Sequence, residues 1–345
     1  MERTMNQAVM TSPGVIEYRV VPVPEMGPGQ ITVKMKVIGV CGSDIHVYHG
    51  KHPYTSYPVV QGHEISAVVE AVGSAVTTVK PGDLVTIQPQ VVCGTCYPCT
   101  HGMYNDCESL KVMGFQTTGM ASDYFVVDAD KALKLPEGMS PDHGAMIEPL
   151  AVGVHAIRRF GDVKGRKVLV IGGGPIGNLL AQTAKAQGAQ AVLLSEVSAY
   201  RLATAGKCGL LTTNPHEETL RQAAARCFGP DGADVIFECI GLGSTLQQEI
   251  EVARKGSDIV VVGVFGAPAT LDIGLVQDHE LRISGTAMYR EEDYVEAIRL
   301  AKEGLIDFES LITHRVPFKK YLEAYRLIEE QKDKAMKVLI EMEAR

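Results

Sequence analysis

The sequence predicts an α/β protein of two domains, a β-barrel-like domain followed by a doubly wound parallel sheet with helices on both faces. Three observations predict it. Up to about residue 150, short β-type segments alternate with Gly/Pro turn signals, which suggests a barrel. From Lys167 onward, strand-like and helix-like stretches alternate, which specifies a parallel sheet. A chain of 345 residues is also too long for one ordinary core.

The elements follow in order. In the first part, Ile31–Val37, Ile65–Ala71, Leu84–Gln88 and Tyr124–Val127 read as strands, separated by clusters such as Pro81-Gly82-Asp83. Glu148 to Phe160 reads as a helix, with Leu150, Val154 and Ile157 at helical spacing. Lys167–Ile171 is a short apolar strand leading into a glycine turn, and Asn178–Gln187 is a helix ended by Gly188. Ala191–Ser195, Val235–Cys239, Ile259–Gly263 and Leu281–Gly285 are the further strands. Two helices, Glu292–Glu303 and Tyr321–Glu329, and a terminal strand, Lys337–Glu341, complete the chain. Internal repeats, low-complexity tracts and long linkers are not found.

Composition narrows the function. The chain is 46% hydrophobic and 21% charged, a globular balance, and its net charge of −8 argues against nucleic acid or an anionic membrane as the main partner. No run reaches the roughly 18 apolar residues of a membrane span, and the Met1–Asn6 start does not read as a signal peptide. Eight cysteines in a chain of this size do not make a disulfide scaffold, and thiols used as ligands imply a reducing compartment, most simply the cytoplasm.

Four of those cysteines, Cys93, Cys96, Cys99 and Cys107, are spaced C-x2-C-x2-C-x7-C, with Gly94, Pro98 and Gly102 supplying turns. Four thiolates so spaced wrap one tetrahedral Zn²⁺ with no position left open. An iron–sulfur run is the competing reading, disfavoured by the spacing to the fourth cysteine and by the lack of a second cluster motif. Cys208, Cys227 and Cys239 show no ligand spacing and read as ordinary reduced thiols.

Gly172-Gly173-Gly174-Pro175-Ile176-Gly177 fits G-x-G-x-x-G between a strand and a helix. Gly172 makes the tight turn, Gly174 admits a pyrophosphate to the backbone, Pro175 suits an early helical position, and Gly177 lets helix and sheet approach. The helix N-terminus offers N–H groups to phosphate. Nineteen residues past Gly177 stands Glu196, a carboxylate that can accept ribose hydroxyls and repel a 2′-phosphate, favouring NAD over NADP. Arg201 has three readings: flanking adenine, pairing with a surface acid, or tolerating a 2′-phosphate. Val264, after a later strand, joins the expected coenzyme contacts.

Cys41-Gly42-Ser43-Asp44-Ile45-His46 and Gly62-His63-Glu64 bring a soft thiolate and an imidazole, both natural Zn²⁺ ligands, together with a carboxylate. Glu148 is a second carboxylate of the same kind. Three protein ligands with one open position make a catalytic zinc site, unlike the sealed four-cysteine one.

With these motifs, Ile147-Glu148-Pro149-Leu150 and Gly172–Gly177 in this order, the chain resembles the zinc-dependent medium-chain dehydrogenases/reductases over nearly its whole length. The resemblance implies a GroES-like catalytic domain over 1–153, with a structural-zinc lobe at about 89–112. It also implies a Rossmann NAD-binding domain over 154–287 and a return to the catalytic domain over 288–345. Glu148 stands where classical alcohol dehydrogenases carry a cysteine, so the chain resembles the sorbitol (polyol) and L-threonine dehydrogenase branch. By that resemblance Cys41, His63 and Glu64 bind catalytic zinc. Glu148 is then close enough to replace a water, exchange with Glu64 or relay protons, and a structural salt bridge is the alternative for Glu64. Two Zn²⁺ per chain and NAD are the implied cofactors.

The zinc would act as a Lewis acid on a substrate hydroxyl. Ser43 would take the released proton and His46 would pass it to solvent; the alternatives are that Ser43 caps a helix opening at Asp44 and that His46 packs. His49 and His52 read as a polar loop rather than a second metal site. Tyr48, Tyr54, Tyr57, Tyr289 and Arg290 are candidate substrate contacts.

The function expected is NAD-dependent oxidation of a secondary hydroxyl on a polyol, sugar alcohol or sugar acid, a small hydrophilic substrate. L-threonine 3-dehydrogenase-type oxidation and a catalytically silent NAD-binding scaffold are the alternatives. A homodimer or homotetramer joined at a Rossmann sheet edge containing Ile283 is expected from the resemblance.

Overall fold

The computed structural model describes residues 3–342. In the first unit, residues up to Glu148 together with Ile312 onward, strand Gln30–Gly39 is the spine. Its alternate residues Ile31, Val33 and Met35 are buried, as a half-buried strand requires. It pairs antiparallel with Glu64–Val72, with Tyr124–Asp128 and with the terminal strand Lys337–Glu341. The sheet continues through Leu84–Ile87 to Ala132–Lys134 on one side and ends at Ile312–Pro317 on the other. A hairpin, Thr4–Ser12 with Val15–Pro22, flanks this sheet, and a short ladder, Gln90–Val91 with Lys111–Val112, closes the base of the cysteine lobe.

Register positions the chemistry. Gly39 lies opposite both Glu64 and Leu339, so the start of one strand and the terminal strand meet across one residue. A Cβ at Gly39 would lie 2.3 Å from Glu64 Oε2, so only glycine fits beside that carboxylate.

The second unit, Pro149–Leu311, is built on a six-stranded parallel sheet. Its order runs Leu211–Thr213, Ala191–Ser195, Lys167–Ile171, Val235–Glu238, Asp258–Val261, Arg282–Gly285. The apolar run of the central strand Lys167–Ile171 is explained by burial on both faces: Val168 and Val170 join one core, Leu169 and Ile171 the other. Ile283 does lie in the strand at one end of this sheet.

The units break at Glu148/Pro149 and at Leu311/Ile312, against the 153/154 and 287/288 read from the sequence. The second difference is the larger, and it has a physical cause. Helix Glu291–Lys302 is tied into the second unit through Asp293, which accepts hydrogen bonds from His155 Nδ1 at 2.7 Å and Arg158 Nε at 2.6 Å. Tyr289 and Tyr294 are buried beside it, ring centroids 5.1 Å apart.

One buried group in this unit works against the fold. Glu249, on helix Gly243–Val252, is fully buried with neither carboxylate oxygen hydrogen-bonded. Burial first, then the Glu238 charge, pushes its carboxyl well above the usual range. A raised carboxyl costs the folded state nothing below the unfolded value; the cost grows as pH rises towards the folded one. Glu249→Leu is therefore expected to stabilise the protein by about 1–3 kcal/mol near neutral pH, with a smaller gain at acidic pH. Urea unfolding midpoints of the two proteins across pH check this.

Candidate metal and coenzyme sites

Cys41 is the N-cap of the short helix Gly42–Tyr48, where the chain turns out of strand Gln30–Gly39. Asp44 holds this turn by accepting the Cys41 N–H on Oδ2 at 2.9 Å. The cap is thus Cys41, and Ser43 does not cap the helix: it lies inside the first turn, half-buried. His46 is exposed on the last turn, which gives it no packing role.

His63 and Glu64 open strand Glu64–Val72 beside this cap. The ligand atoms of Cys41, His63 and Glu64 all lie within 4.8 Å of one another. His63 and Glu64 are buried, and Glu148 is only 5% exposed. His63 Nδ1 is buried without a hydrogen-bond partner, 3.7 Å from Asp44 Oδ1. Burial disfavours a charge on His63, but Asp44, the Cys41 sulfur and Glu148 outweigh it and hold the imidazole well above its usual range. A half-buried thiol, a buried imidazole and the buried carboxyl of Glu64 form a donor group that calls for a cation, and the donor set suits zinc.

Lys337, on the terminal strand, supplies part of that charge. Its Nζ donates to Glu64 Oε1 at 2.7 Å and Oε2 at 2.6 Å, and to the Val40 carbonyl at 3.3 Å. Both readings of Glu64 therefore coexist: it forms a buried ion pair and stands within the three-residue donor group. Glu148 is outside that group, although its charge bears on both His63 and Lys337.

The loop beyond the helix is occupied by internal contacts. His49 pairs with Glu329 at 2.7 Å; His52 bonds Thr55 at 2.8 Å and stacks on Phe115 with centroids 4.7 Å apart. Phe115 also reaches the His63 ring, at 4.9 Å. Tyr57 donates to the Val47 carbonyl and so faces its own loop, whereas Tyr54 is 72% exposed. Tyr48 packs on Tyr325.

In the lobe, the Cys93, Cys96, Cys99 and Cys107 sulfurs form the second donor group. Three of their separations are 3.6, 3.9 and 4.0 Å. A tetrahedron with Zn–S bonds of 2.3 Å has edges of about 3.8 Å, so the thiols are already spaced for the ion. N–H groups of Thr95 and Cys96 point at Cys93 Sγ, and the Thr95 N–H leads in bringing its thiol down to about 5.

The glycine turn has the expected form. Gly172 adopts φ +104°, Gly174 is the N-cap and Pro175 the first residue of helix Pro175–Ala186, which starts three residues before the position read from the sequence. A Cβ on Gly177 would lie 1.9 Å from the Gly172 carbonyl oxygen. Gly173 N–H donates to Glu196 Oε2 at 2.8 Å, and Val197 and Ser198 N–H groups donate to Oε1 at 2.7 and 3.0 Å. Arg201 Nη1 stands 3.6 Å from Oε2, so its acid partner is the buried Glu196 rather than a surface group. Gly172 and Glu196 border a cavity of about 530 Å³ whose far walls carry His216, Arg221, Ile240 and Thr245. Gly174, Pro175, Ile176, Gly177, Arg201 and Val264 do not line it; Val264 is 80% exposed, its carbonyl beside Gly241.

Sequence reasoning missed Asp44 and Lys337, and it missed the cavity residues His216 and Arg221. Only Asp44 left a local signal: a carboxylate three residues after the cap completes a capping box.

Two sequence families match the chain: the alcohol dehydrogenase GroES-like domain over residues 27–137 and the zinc-binding dehydrogenases over 175–303. L-galactonate-5-dehydrogenase of Escherichia coli is 32% identical over 93% of this chain and 94% of its own. L-threonine 3-dehydrogenase of Pyrococcus horikoshii is 32% identical over 95% and 96%. Human sorbitol dehydrogenase is 35% identical over 92% and 90%. Among solved structures, a zinc-binding dehydrogenase of Sinorhizobium meliloti bound to NADP superposes with a TM-score of 0.89, at 31% identity, over 99% of this chain and 100% of that one. The chain belongs to the zinc-dependent medium-chain dehydrogenase/reductase family. It is an alcohol dehydrogenase in the broad sense, an enzyme with a zinc-binding and a dinucleotide-binding part. The silent-scaffold alternative is set aside. Among the described residues, no helix is long and apolar enough to cross a membrane.

Proposed function

We propose that this enzyme oxidises a secondary hydroxyl of a sugar-derived polyol or sugar acid to a ketone, with NAD as the hydride acceptor. The observation that carries the reading is the group of half-buried Cys41 with buried His63 and Glu64 in one unit, together with the Gly172–Gly177 turn and Glu196 in the other. Zinc held by Cys41, His63 and a glutamate would supply Lewis-acid polarisation of the hydroxyl, and NAD would supply the hydride acceptor.

The chain's own residues do the rest. Lys337 holds Glu64 by both oxygens, which balances one of the anions crowded around His63. Ser43, half-buried one turn from exposed His46, starts a path by which a proton reaches solvent. Glu148, whose charge bears on His63, would exchange with Glu64 at the metal or relay protons. Glu196, fixed by three backbone N–H groups, would face ribose hydroxyls and disfavour a 2′-phosphate, while Arg201 limits the strictness of that choice. The acids around the metal group suit a hydrophilic substrate, and relatives named for galactonate and sorbitol point the same way. L-threonine is the second reading, supported by the threonine dehydrogenase relative.

The test is a substrate panel followed at the NADH absorbance band: polyols, sugar acids and L-threonine, each with NAD and with NADP. Reduction with a polyol or sugar acid, lost on zinc removal and restored by zinc, is the expected result. Turnover with L-threonine alone would transfer the assignment to the second reading, and undiminished turnover after zinc removal would overturn the metal role.

A further inference from the structure

The first unit holds a cavity beside the metal group. It has a volume of about 610 Å³, within the roughly 300–1,000 Å³ that small ligands occupy. The hairpin Thr4–Ser12 with Val15–Pro22, segment 54–60 and segment 115–118 border it. Phe115 belongs to its wall, and the same ring meets the His63 ring with centroids 4.9 Å apart. One aromatic side chain thus touches both the cavity and the metal group.

Among the described residues that line the cavity, Arg19 alone is charged. It stands opposite Gln7 across the hairpin, and both border the cavity. Its ion-pair partner is Glu17, two residues along the same strand face, at 3.1 Å. Both side chains are about half exposed, and an exposed pair of this kind is weak and readily exchanged. Other polar groups of the wall are short of partners. Gln116 Oε1 accepts the Val112 N–H at 2.8 Å, which leaves its NH₂ group as a donor. Thr117 Oγ1 is buried without a hydrogen-bond partner, a deficit that a ligand oxygen would remove.

A cavity lined by one guanidinium, further donors and no acid selects an anion, although the whole chain carries a net charge of −8. The guanidinium fork matches a carboxylate through two parallel hydrogen bonds, which a neutral hydroxyl cannot reproduce. We propose that Arg19 is a specificity-determining residue that binds the carboxylate of a sugar-acid substrate in this cavity, so that the enzyme takes sugar acids ahead of neutral polyols. This assignment rests on the reading of the chain as a dehydrogenase of sugar-derived hydroxyls, and it narrows the substrate class of that reading.

The test is kcat/KM of the zinc-loaded enzyme for gluconate and galactonate, each divided by the value for its neutral alditol, sorbitol or galactitol. Arg19→Leu is expected to lower that ratio by about ten- to a hundredfold, mainly by raising KM for the acid. Arg19→Lys keeps the charge without the fork and should recover part of the ratio. Glu17→Gln removes the competing carboxylate and should raise the ratio, a gain that a structural defect would not produce. Thermal unfolding of each variant checks the fold. Should Arg19→Leu fail to fold, Glu17→Gln decides, with an unraised ratio counting against the assignment.

Turnover of both classes with a ratio that neither Arg19→Leu nor Glu17→Gln moves overturns the role of Arg19 alone. Turnover of alditols and of no sugar acid overturns it too, while the polyol half of the proposed function stands. Turnover of L-threonine alone would instead remove the reading on which the assignment rests. Galactitol 1-phosphate is the remaining arm. If Arg19→Leu weakens turnover of that phosphate ester and leaves the acid ratio as it was, the bound anion is a phosphate and the carboxylate assignment falls.

Discussion

Replacing His63 by alanine is expected to lower kcat/KM by at least about 10³-fold and to reduce the zinc content from two per chain to one. The size follows from what remains. Cys41 and Glu64 are the other members of the donor group, and Glu64 is clamped by Lys337 through both oxygens. One free thiolate is a poor zinc site, and the Lewis-acid contribution lost with the metal is worth several kcal/mol, with each 1.4 kcal/mol a factor of about ten. The lobe should be indifferent, because its four sulfurs all lie within 4.8 Å of one another in a segment closed by its own ladder, Gln90–Val91 with Lys111–Val112. Metal analysis with the rate assay separates this from a folding defect. Loss of both zincs would mean the unit had unfolded, and two retained zincs with full activity would refute the assignment of His63.

The motifs that the sequence revealed are local. Cys93, Cys96, Cys99 and Cys107 fall within fifteen residues, and Gly172–Gly177 is a single turn, so spacing alone determines their geometry. The partner that finishes the metal group is distant: Lys337 is 273 positions from Glu64. A lysine opening a strand has no periodic or spacing signature, and only the register Leu339↔Gly39↔Glu64 brings it home.

The same limit explains the domain boundary. Helix Glu291–Lys302 has the same amphipathic pattern whichever unit it joins, and the residues that decide, His155 and Asp293, lie 138 positions apart. The hairpin Thr4–Ser12 with Val15–Pro22 escaped for a different reason. The second strand is exposed or half-exposed along its whole length, so it lacks the alternation by which strands are recognised.

Asp293→Ala is expected to destabilise the second unit by about 3–5 kcal/mol, the usual cost of removing one partner from a buried ionic group. Asp293 is fully buried and serves three donors: His155 Nδ1 at 2.7 Å, the Arg290 N–H at 2.8 Å and Arg158 Nε at 2.6 Å. Burial alone would push its carboxyl up, but the bonds from His155, the Arg290 backbone and Arg158 outweigh it, and the carboxyl lies below its usual range. A depressed carboxyl contributes stability that is complete above the unfolded value, about 3.9, and is lost as pH falls through the folded one. The difference in unfolding free energy between the two proteins should therefore be constant from neutral pH to about 5 and shrink below about 4.

Asp293→Asn separates charge from shape. It keeps the volume and one acceptor oxygen, so a cost close to that of alanine would place the effect in the carboxylate charge facing His155 and Arg158. A cost near zero for both variants, measured by urea unfolding at pH 7, would show that helix Glu291–Lys302 is held to its unit by Tyr294, Ala297 and Leu300 alone. The boundary at Leu311 would then owe nothing to this ionic group.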